Sequence, residues 1–323
     1  MVATFTVDDI LKATNGRLQS GKTNYDEGKL VWDLDELEPG DWYINTTSPR
    51  TDPQNRLKEA IKKGALGCIV NQRSHHTAEP KHATIISVLD TRMAVIELVG
   101  YWRRRVEPQV VGVTGSTGRW AVMILLNQLL KDKLKTHIAF MGNLGWFGCL
   151  KEVLSMPRET DVLIFEAGAI EAGEIDRISG ALDPDLAILT QIRHPLPSPQ
   201  RNARFASLYC ELLERLLGSP NKQFSAVVYD ENESVQKHLD QVLTGFSATR
   251  HSLCGIGMAD RISDSALNEL SEAMQSAIGQ PVSRADLWCA IEAAKALGVT
   301  TSDIEVMLEL ERRNAQPDAT HLA

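Results

Sequence analysis

A glycine-rich segment, G-V-T-G-S-T-G-R-W, runs from Gly112 to Trp120 between an apolar stretch and a long apolar helical pattern. A strand, a glycine-rich turn and a helix together bind phosphate, because glycines let the backbone wrap an anion and the helix N-terminus presents unpaired N–H groups. The working pattern is G-x-x-x-x-G-K-[ST]. The glycine spacing fits, but Arg119 stands at the lysine position and Trp120 at the hydroxyl position.

Both replacements change the groups with which this loop would bind phosphate and Mg²⁺. Arginine keeps the charge but is longer and forked, and tryptophan has no oxygen that could bind Mg²⁺. We expect a vestigial nucleotide or anion site formed by Gly115, Ser116, Thr117, Gly118, Arg119 and Trp120. Two alternatives stay open for Arg119, an anion ligand at the helix N-terminus or a surface residue without a ligand. Trp120 is interpreted as a packing residue in the vacated site, an interface anchor or a stacking platform.

Further candidates lie outside the loop. Glu166, at the end of a predicted strand, and Glu171 are candidate metal ligands, or carboxylates that cap a helix or stay solvated. His194 precedes Pro195 in a proline-rich run and is either a loop residue or a catalyst. Trp146-Phe147, between two glycines, is predicted to lie on a loop, either buried in the core or exposed as a partner site.

The apolar patterns predict an α/β protein of two domains. Residues 1–106 contain helices and short buried strands and are predicted to form a small α/β domain. Residues 107–323 alternate strands with helices, which predicts a P-loop-type central domain with a mostly parallel sheet flanked by helices. The predicted helices are 5–16, 57–63, 90–103, 120–130 and 204–217, followed by helical segments from Ser263 onward. The predicted strands are 30–32, 41–44, 67–70, 83–88, 110–113, 137–140, 161–165, 186–189 and 226–229.

Composition excludes several classes of protein. The net charge of -8 argues against a nucleic-acid partner, which needs a basic surface. Five cysteines are scattered without C-x-x-C spacing, which indicates a reducing compartment and neither a disulfide framework nor a zinc site. The N-terminus does not read as a signal peptide, and no stretch is apolar enough to span a membrane. We expect a cytoplasmic protein.

Several segments in the same order along the chain resemble the Mur ligases, and within that family the D-alanyl-D-alanine-adding branch. V-V-G-V-T-G-S-T-G-R-W resembles the family's V-x-G-[IV]-T-G-[ST]-N-G-K-T-T. M-G-N resembles its G-N segment ahead of the metal site, which implies that Asn143 belongs to the vestigial nucleotide or anion site. The other matching segments are Leu37–Ile44, Ala60–Val70, Phe165–Ile175, Leu182–Ile192 and Glu292–Val299. The resemblance implies a UDP-sugar-type domain at 1–106 and an ATPase-type domain at 107–323.

This chain differs from the family at the positions of the family's catalytic and ligand-binding residues. Glu166 matches an acidic residue that reaches Mg²⁺, while His194 is displaced by about two residues from the metal-binding histidine. The stretch Ser207–Glu211, where the family has a carbamylated lysine, holds no lysine. Val282–Asp286 lacks both asparagines of the nucleotide signature, and Val31–Asp35 lacks the serine and arginine of the sugar-nucleotide segment. The family's third domain is expected to be absent.

Three hypotheses follow. The first, which we favour, is a Mur ligase homologue that has lost ATP-dependent ligation and works as a binding, scaffold or regulatory protein, with no cofactor. The second is an ATP- and Mg²⁺-dependent peptide ligase with an atypical loop and a third domain supplied by another chain. The third is a structural homo-oligomer. A protein partner or self-association is expected at the surface left by the missing domain.

Overall fold

The structure is a computed structural model. It describes residues 2–21, 26–46, 53–72, 83–168, 171–191, 207–215, 224–228, 251–254, 272, 275, 282–304 and 306. The chain divides into two compact units. The first comprises Met1–Glu107 with Val153–Arg158, and the second comprises Pro108–Glu152 with Glu159–Ala323.

The first unit contains a five-stranded sheet. Its elements are α1 (Val7–Thr14), β1 (Arg17–Ser20), β2 (Leu30–Val31), a 3-10 turn (Leu34–Glu36), β3 (Trp42–Ile44), α2 (Pro53–Lys62), β4 (Gly67–Asn71), β5 (Thr84–Val88) and α3 (Thr91–Val106). The strand order is β1-β5-β4-β3-β2. Neighbours from β2 to β5 are parallel, and only the edge strand β1 pairs antiparallel, with β5.

Helix α1 begins where its sequence predicts. Thr6 is the N-cap, and a capping box joins it to Asp9: the Asp9 N–H donates to Thr6 Oγ1 at 3.1 Å, and the Thr6 N–H donates to Asp9 Oδ2 at 3.0 Å. Asp9 also accepts from the Tyr101 hydroxyl at 2.6 Å and pairs with Arg105 at 3.2 Å. Burial raises the pKa of Asp9, but these hydrogen bonds and the Arg105 charge outweigh burial, so its pKa is lowered.

The interior of the first unit is aromatic and aliphatic. Trp42 and Trp102 are both almost fully buried, and each indole N–H donates to a backbone carbonyl, that of Phe5 at 2.8 Å and that of Met156 at 3.1 Å. Burial of a tryptophan therefore leaves no unsatisfied donor here. Cys68 is also buried, which raises the pKa of its thiol to about 12.

The second unit contains a six-stranded parallel sheet. Its elements are β6 (Gln109–Thr114), α4 (Arg119–Leu130), β7 (Thr136–Ala139), a 3-10 turn (Gly142–Leu144), α5 (Trp146–Ser155), which begins in this unit, β8 (Val162–Glu166), α6 (Glu174–Leu182), β9 (Leu186–Leu189), α7 (residues 207–215), β10 (Phe224–Val228), β11 (His251–Cys254) and α8 (Arg284–Ala296). The strand order is β11-β10-β9-β6-β8-β7, and every pairing is parallel. The predicted α/β class and its mostly parallel sheet are confirmed.

Strand β6 lies inside this sheet and has helices on both faces. Val111 and Val113 pack into the core that α4 and α8 share. Gly112 points to the opposite face, where an added Cβ would lie 2.9 Å from side-chain atoms of both Leu212, in α7, and Phe165. A glycine is required here because α7 packs this closely on the sheet. Among the described residues, no helix has the length and apolarity to cross a membrane.

The prediction that Trp146 and Phe147 lie on a loop is wrong. They are the first two residues of α5, each partly buried, and their rings stack with centroids 4.1 Å apart. Gly148 follows them inside the helix, where an added Cβ would overlap the Met141 carbonyl oxygen. The glycine therefore marks a close backbone approach to a helix and not a turn.

Candidate functional site: the loop between β6 and α4

The glycine-rich segment forms the connection from β6 to α4, at the carboxyl end of an interior strand. Gly115 has φ +129° and Gly118 has φ +84°, a region that L side chains rarely adopt. Gly118 is the N-cap of α4 and, as a glycine, has no side chain with which to cap this helix. The predicted strand–turn–helix arrangement is present.

The first half of the loop is tied to the end of β9. The N–H groups of Ser116 and Thr117 both donate to the carbonyl of Gln191 at 3.2 Å. The Thr190 hydroxyl donates to the carbonyl of Thr117 at 2.6 Å and to that of Thr114 at 3.0 Å. Two N–H groups of the loop therefore bond to a protein carbonyl, whereas a phosphate-cradling loop directs its N–H groups at the anion.

Arg119 folds back onto the loop and onto the neighbouring strand β8. Its Nε donates to Glu166 Oε1 at 2.9 Å, and its Nη1 donates to the carbonyl of Gly115. The other carboxylate oxygen, Glu166 Oε2, accepts from the Met141 N–H at 3.0 Å. The Arg119 and Glu166 side chains are 24% and 14% exposed, so this pair is shielded from most of the solvent. The structure therefore brings Arg119 and Glu166 together as an ion pair.

Trp120 lies at the surface of the second unit. It is 37% exposed, and its ring stacks on Phe140 with centroids 6.4 Å apart. Asn143 lies in the exposed 3-10 turn, where its neighbour Leu144 is 63% exposed. Trp120 therefore packs on one aromatic ring and is not buried in the interior.

The stretch expected to lack the carbamylated lysine has a structural contact of its own. Glu211, in α7, accepts from the N–H of Gly173 at 2.7 Å and from that of Asp176 at 3.3 Å. Gly173 is the N-cap of α6, so the Glu211 carboxylate caps α6 from another helix. A negative charge at a helix N-terminus is stabilising.

The sequence analysis did not single out Asp286 as a functional residue. It lies in the first turn of α8, is 8% exposed, and accepts through Oδ2 from the Ser283 N–H at 3.1 Å and hydroxyl at 2.6 Å. An added Cβ at Gly118 would overlap Asp286 Oδ1 and lie 3.1 Å from its Cγ. This carboxylate is therefore in contact with the loop. The S-x-x-D spacing predicts the helix cap. The sequence signal for the contact with the loop is the match of Val282–Asp286 to the nucleotide signature of the Mur ligases, in which Asp286 stands at the second asparagine position.

The other metal-ligand candidates are not brought to Glu166 in the described part of the chain. Glu171 is exposed, and its N–H donates to the Glu174 carboxylate at 3.2 Å. His194 lies outside the described residues. Among the residues that the structure describes, no group of three or more His, Cys, Asp or Glu side chains could hold a metal ion.

Comparison with known proteins identifies relatives of this loop and sheet. Residues 113–195 match the Mur ligase middle domain. The UDP-N-acetylmuramoyl-tripeptide--D-alanyl-D-alanine ligase of Bacillus subtilis is 28% identical over 190 residues, which cover 58% of this chain and 41% of that protein. The enzyme of the same name from Treponema pallidum is 27% identical over 171 residues, covering 50% of this chain and 37% of that one.

Solved structures share the fold. A crystal structure of MurF from Acinetobacter baumannii superposes with a TM-score of 0.72 and 21% identity, covering 100% of this chain and 70% of that one. MurF ligase from Thermotoga maritima, solved in complex with ADP, superposes with a TM-score of 0.55 and 20% identity over 70% of this chain and 49% of that one. The chain spans about two fifths of the length of the curated relatives named above. The chain is therefore similar to the Mur ligases, and its residues 113–195 match their middle domain.

Proposed function

We propose that this Mur ligase homologue has lost ATP-dependent amide ligation and acts as a binding, scaffold or regulatory protein. The observation that carries the proposal is the placement of Arg119. Its guanidinium pairs with Glu166 and with the loop carbonyl of Gly115. The residue that should attract phosphate is already bound to the residue that should attract Mg²⁺.

This pairing disfavours a metal ion for two reasons. A guanidinium 2.9 Å from Glu166 neutralises the carboxylate and repels a second cation. Both Glu166 oxygens also accept a hydrogen bond from the protein, one from Arg119 and one from Met141. Mg²⁺ requires several oxygen ligands in near-octahedral geometry, and a carboxylate engaged in this way is a poor contributor.

The neighbouring residue removes the other metal ligand. Trp120 stands where the family has a hydroxyl, and its indole offers no oxygen to a metal. The residues present therefore do not fit an ATP–Mg²⁺ complex. Catalysis of phosphoryl transfer is almost entirely positioning and electrostatic stabilisation, so losing both groups should reduce turnover by several orders of magnitude.

The surroundings of the loop support the same conclusion. The stretch without the carbamylated lysine supplies Glu211 as a cap for α6. The N–H groups of Ser116 and Thr117 are held by the Gln191 carbonyl. These contacts stabilise the fold without a ligand, which suits a protein that keeps the ligase scaffold and uses it for binding.

A binding role draws support from apolar side chains near the loop. Trp120 and Leu144 are 37% and 63% exposed, and Leu144 lies in the turn that follows Met141, whose N–H bonds to Glu166. Exposed large apolar residues are enriched at contacts with other proteins. We propose a protein partner or a second copy of the chain as the occupant of this surface.

A second candidate is an active ATP-dependent ligase. The positive-φ glycines of the loop, Gly115 and Gly118, favour it because they keep the backbone of a phosphate-binding turn. Glu166 also keeps the acidic group that matches the family's metal ligand. On this hypothesis Arg119 would have to release Glu166 when nucleotide binds.

Phosphate release from ATP separates the two candidates. The purified chain is incubated with ATP, Mg²⁺, UDP-N-acetylmuramoyl-tripeptide and D-alanyl-D-alanine, beside the Bacillus subtilis relative as positive control. We expect phosphate release at the background rate, both from this chain alone and from its mixture with a variant of that relative whose loop lysine has been replaced. Mg²⁺-dependent release that requires this chain would overturn the proposal and favour the ligase. Light scattering on the same preparation reports whether the chain self-associates.

A further inference from the structure

Asp286 is a buried carboxylate in contact with the phosphate-type loop. It lies in α8, far along the chain from the loop, and only 8% of its surface is exposed. At Gly118, the N-cap of α4, a Cβ would overlap Asp286 Oδ1. The N-terminus of α4 carries a partial positive charge, which in a nucleotide-binding protein faces phosphate. Here it faces an anion that belongs to the protein.

We propose that Asp286 is the residue that excludes phosphate-bearing ligands from this loop. The inference rests on the proposed function, since it names the group that enforces the loss of nucleotide binding. A phosphate brought to the Gly118–Arg119 backbone would lie beside a fixed negative charge in a partly dehydrated place, where like charges repel strongly. Arg119 does not offset this charge, because its guanidinium is already paired with Glu166.

The contact with the loop is separable from the role of Asp286 as a helix cap. The capping box uses Oδ2, which accepts from the N–H and hydroxyl of Ser283, whereas Oδ1 is the oxygen against Gly118. Asp286 is the third residue of the helix after the N-cap Ser283, and an asparagine at this position still has one amide oxygen that can accept from Ser283. The substitution Asp286→Asn therefore keeps an oxygen for the cap and removes the charge from the loop.

The chain contains a matched control for this substitution. Thr300 and Asp303 make the same capping contacts, with Asp303 Oδ2 accepting from the Thr300 N–H at 2.8 Å and hydroxyl at 2.5 Å. The variant Asp303→Asn removes one negative charge and perturbs one cap in the same unit, and it also breaks the ion pair between Asp303 and Lys133. Asp303 is not among the residues that an added Cβ at Gly118 would meet. Any effect of net charge or capping alone should appear in both variants.

The test is calorimetric titration of inorganic pyrophosphate into the full chain at low ionic strength, without metal. We expect Asp286→Asn to bind about tenfold to hundredfold more tightly than the wild type, the range expected when one screened contact charge is removed. Asp303→Asn should bind as the wild type does. Thermal melting verifies that each variant is folded, and Asp286→Ser replaces Asp286→Asn in the titration should the latter fail to fold.

Two results would overturn the inference. The first is that the Asp286 variant binds pyrophosphate no more tightly than the wild type does. The second is that Asp303→Asn gains as much pyrophosphate affinity as the Asp286 variant. Neither result contradicts the proposed function if the wild type releases no phosphate from ATP. Mg²⁺-dependent ATP turnover by the wild type would instead overturn the proposed function itself.

Discussion

The pairing of Arg119 with Glu166 should contribute measurably to the stability of the second unit. Exposed ion pairs contribute about 0–1 kcal/mol, and breaking a fully buried pair costs about 3–5 kcal/mol. With side chains 24% and 14% exposed and an Nε–Oε1 distance of 2.9 Å, this pair lies between those limits. We expect a coupling free energy of about 1–2 kcal/mol, in the range of a hydrogen bond to a charged group.

A double-mutant cycle measures this coupling. Arg119→Met, Glu166→Gln and the double variant are unfolded in urea, with tryptophan fluorescence as the signal, since Trp120 and Trp288 lie in the second unit. Each single variant should be destabilised, and the double variant should be more stable than the sum of the two single effects predicts. Additive effects, within about 0.3 kcal/mol, would mean that the pair is not formed in solution and would refute the argument that Arg119 replaces the metal.

Three further predictions test other contacts. Gly118→Ala and Gly173→Ala share a positive φ at a helix N-cap, but only Gly118 would place its Cβ on Asp286, so Gly118→Ala should be less stable by a further 1–3 kcal/mol, roughly, in urea unfolding. Glu211→Ala should destabilise α6 by about 1 kcal/mol, seen as faster amide exchange at its first turn, and unchanged exchange would contradict the capping role. The lowered pKa of Asp9 means that its ionised form stabilises the fold above the unfolded-state pKa and that this contribution is lost as pH falls through the folded-state pKa. Asp9→Asn should therefore be destabilised at neutral pH, and its gap from the wild type should narrow from about pH 5 to pH 2; a constant gap would contradict this assignment.

Periodicity and end signals predicted several elements that bury one face, but the sequence analysis missed the helices α5 and α6. Thr6 or Asp8 is the start signal expected for α1, whose N-cap is Thr6. The apolar run of α4 predicts a helix packed in the core. The two strands that the sequence analysis missed, β1 and β11, lie at the edges of their sheets. Edge strands have one neighbour and need fewer apolar residues, so R-L-Q-S and H-S-L-C do not give a strand pattern.

Of the candidate site, the sequence predicted the residue types but not their contacts. The replacements at Arg119 and Trp120 follow from spacing alone, and so does the candidate carboxylate Glu166. Their pairing depends on the order of strands in the sheet, since β6 and β8 are neighbours although β7 separates them in sequence. The contact of Asp286 with the loop likewise depends on how α8 packs on α4. Local patterns carry no information about the pairing of Arg119 with Glu166, and for Asp286 they give only the match of Val282–Asp286 to the nucleotide signature.

The measurement that tests the central claim most directly is the calorimetric titration of ATP into the purified chain, with and without Mg²⁺. If Arg119 holds the position of the metal at Glu166 and Trp120 has removed the hydroxyl ligand, Mg²⁺ has no site and cannot strengthen binding. The account predicts no detectable heat at millimolar nucleotide, in either condition. Clear binding that requires Mg²⁺ would contradict it.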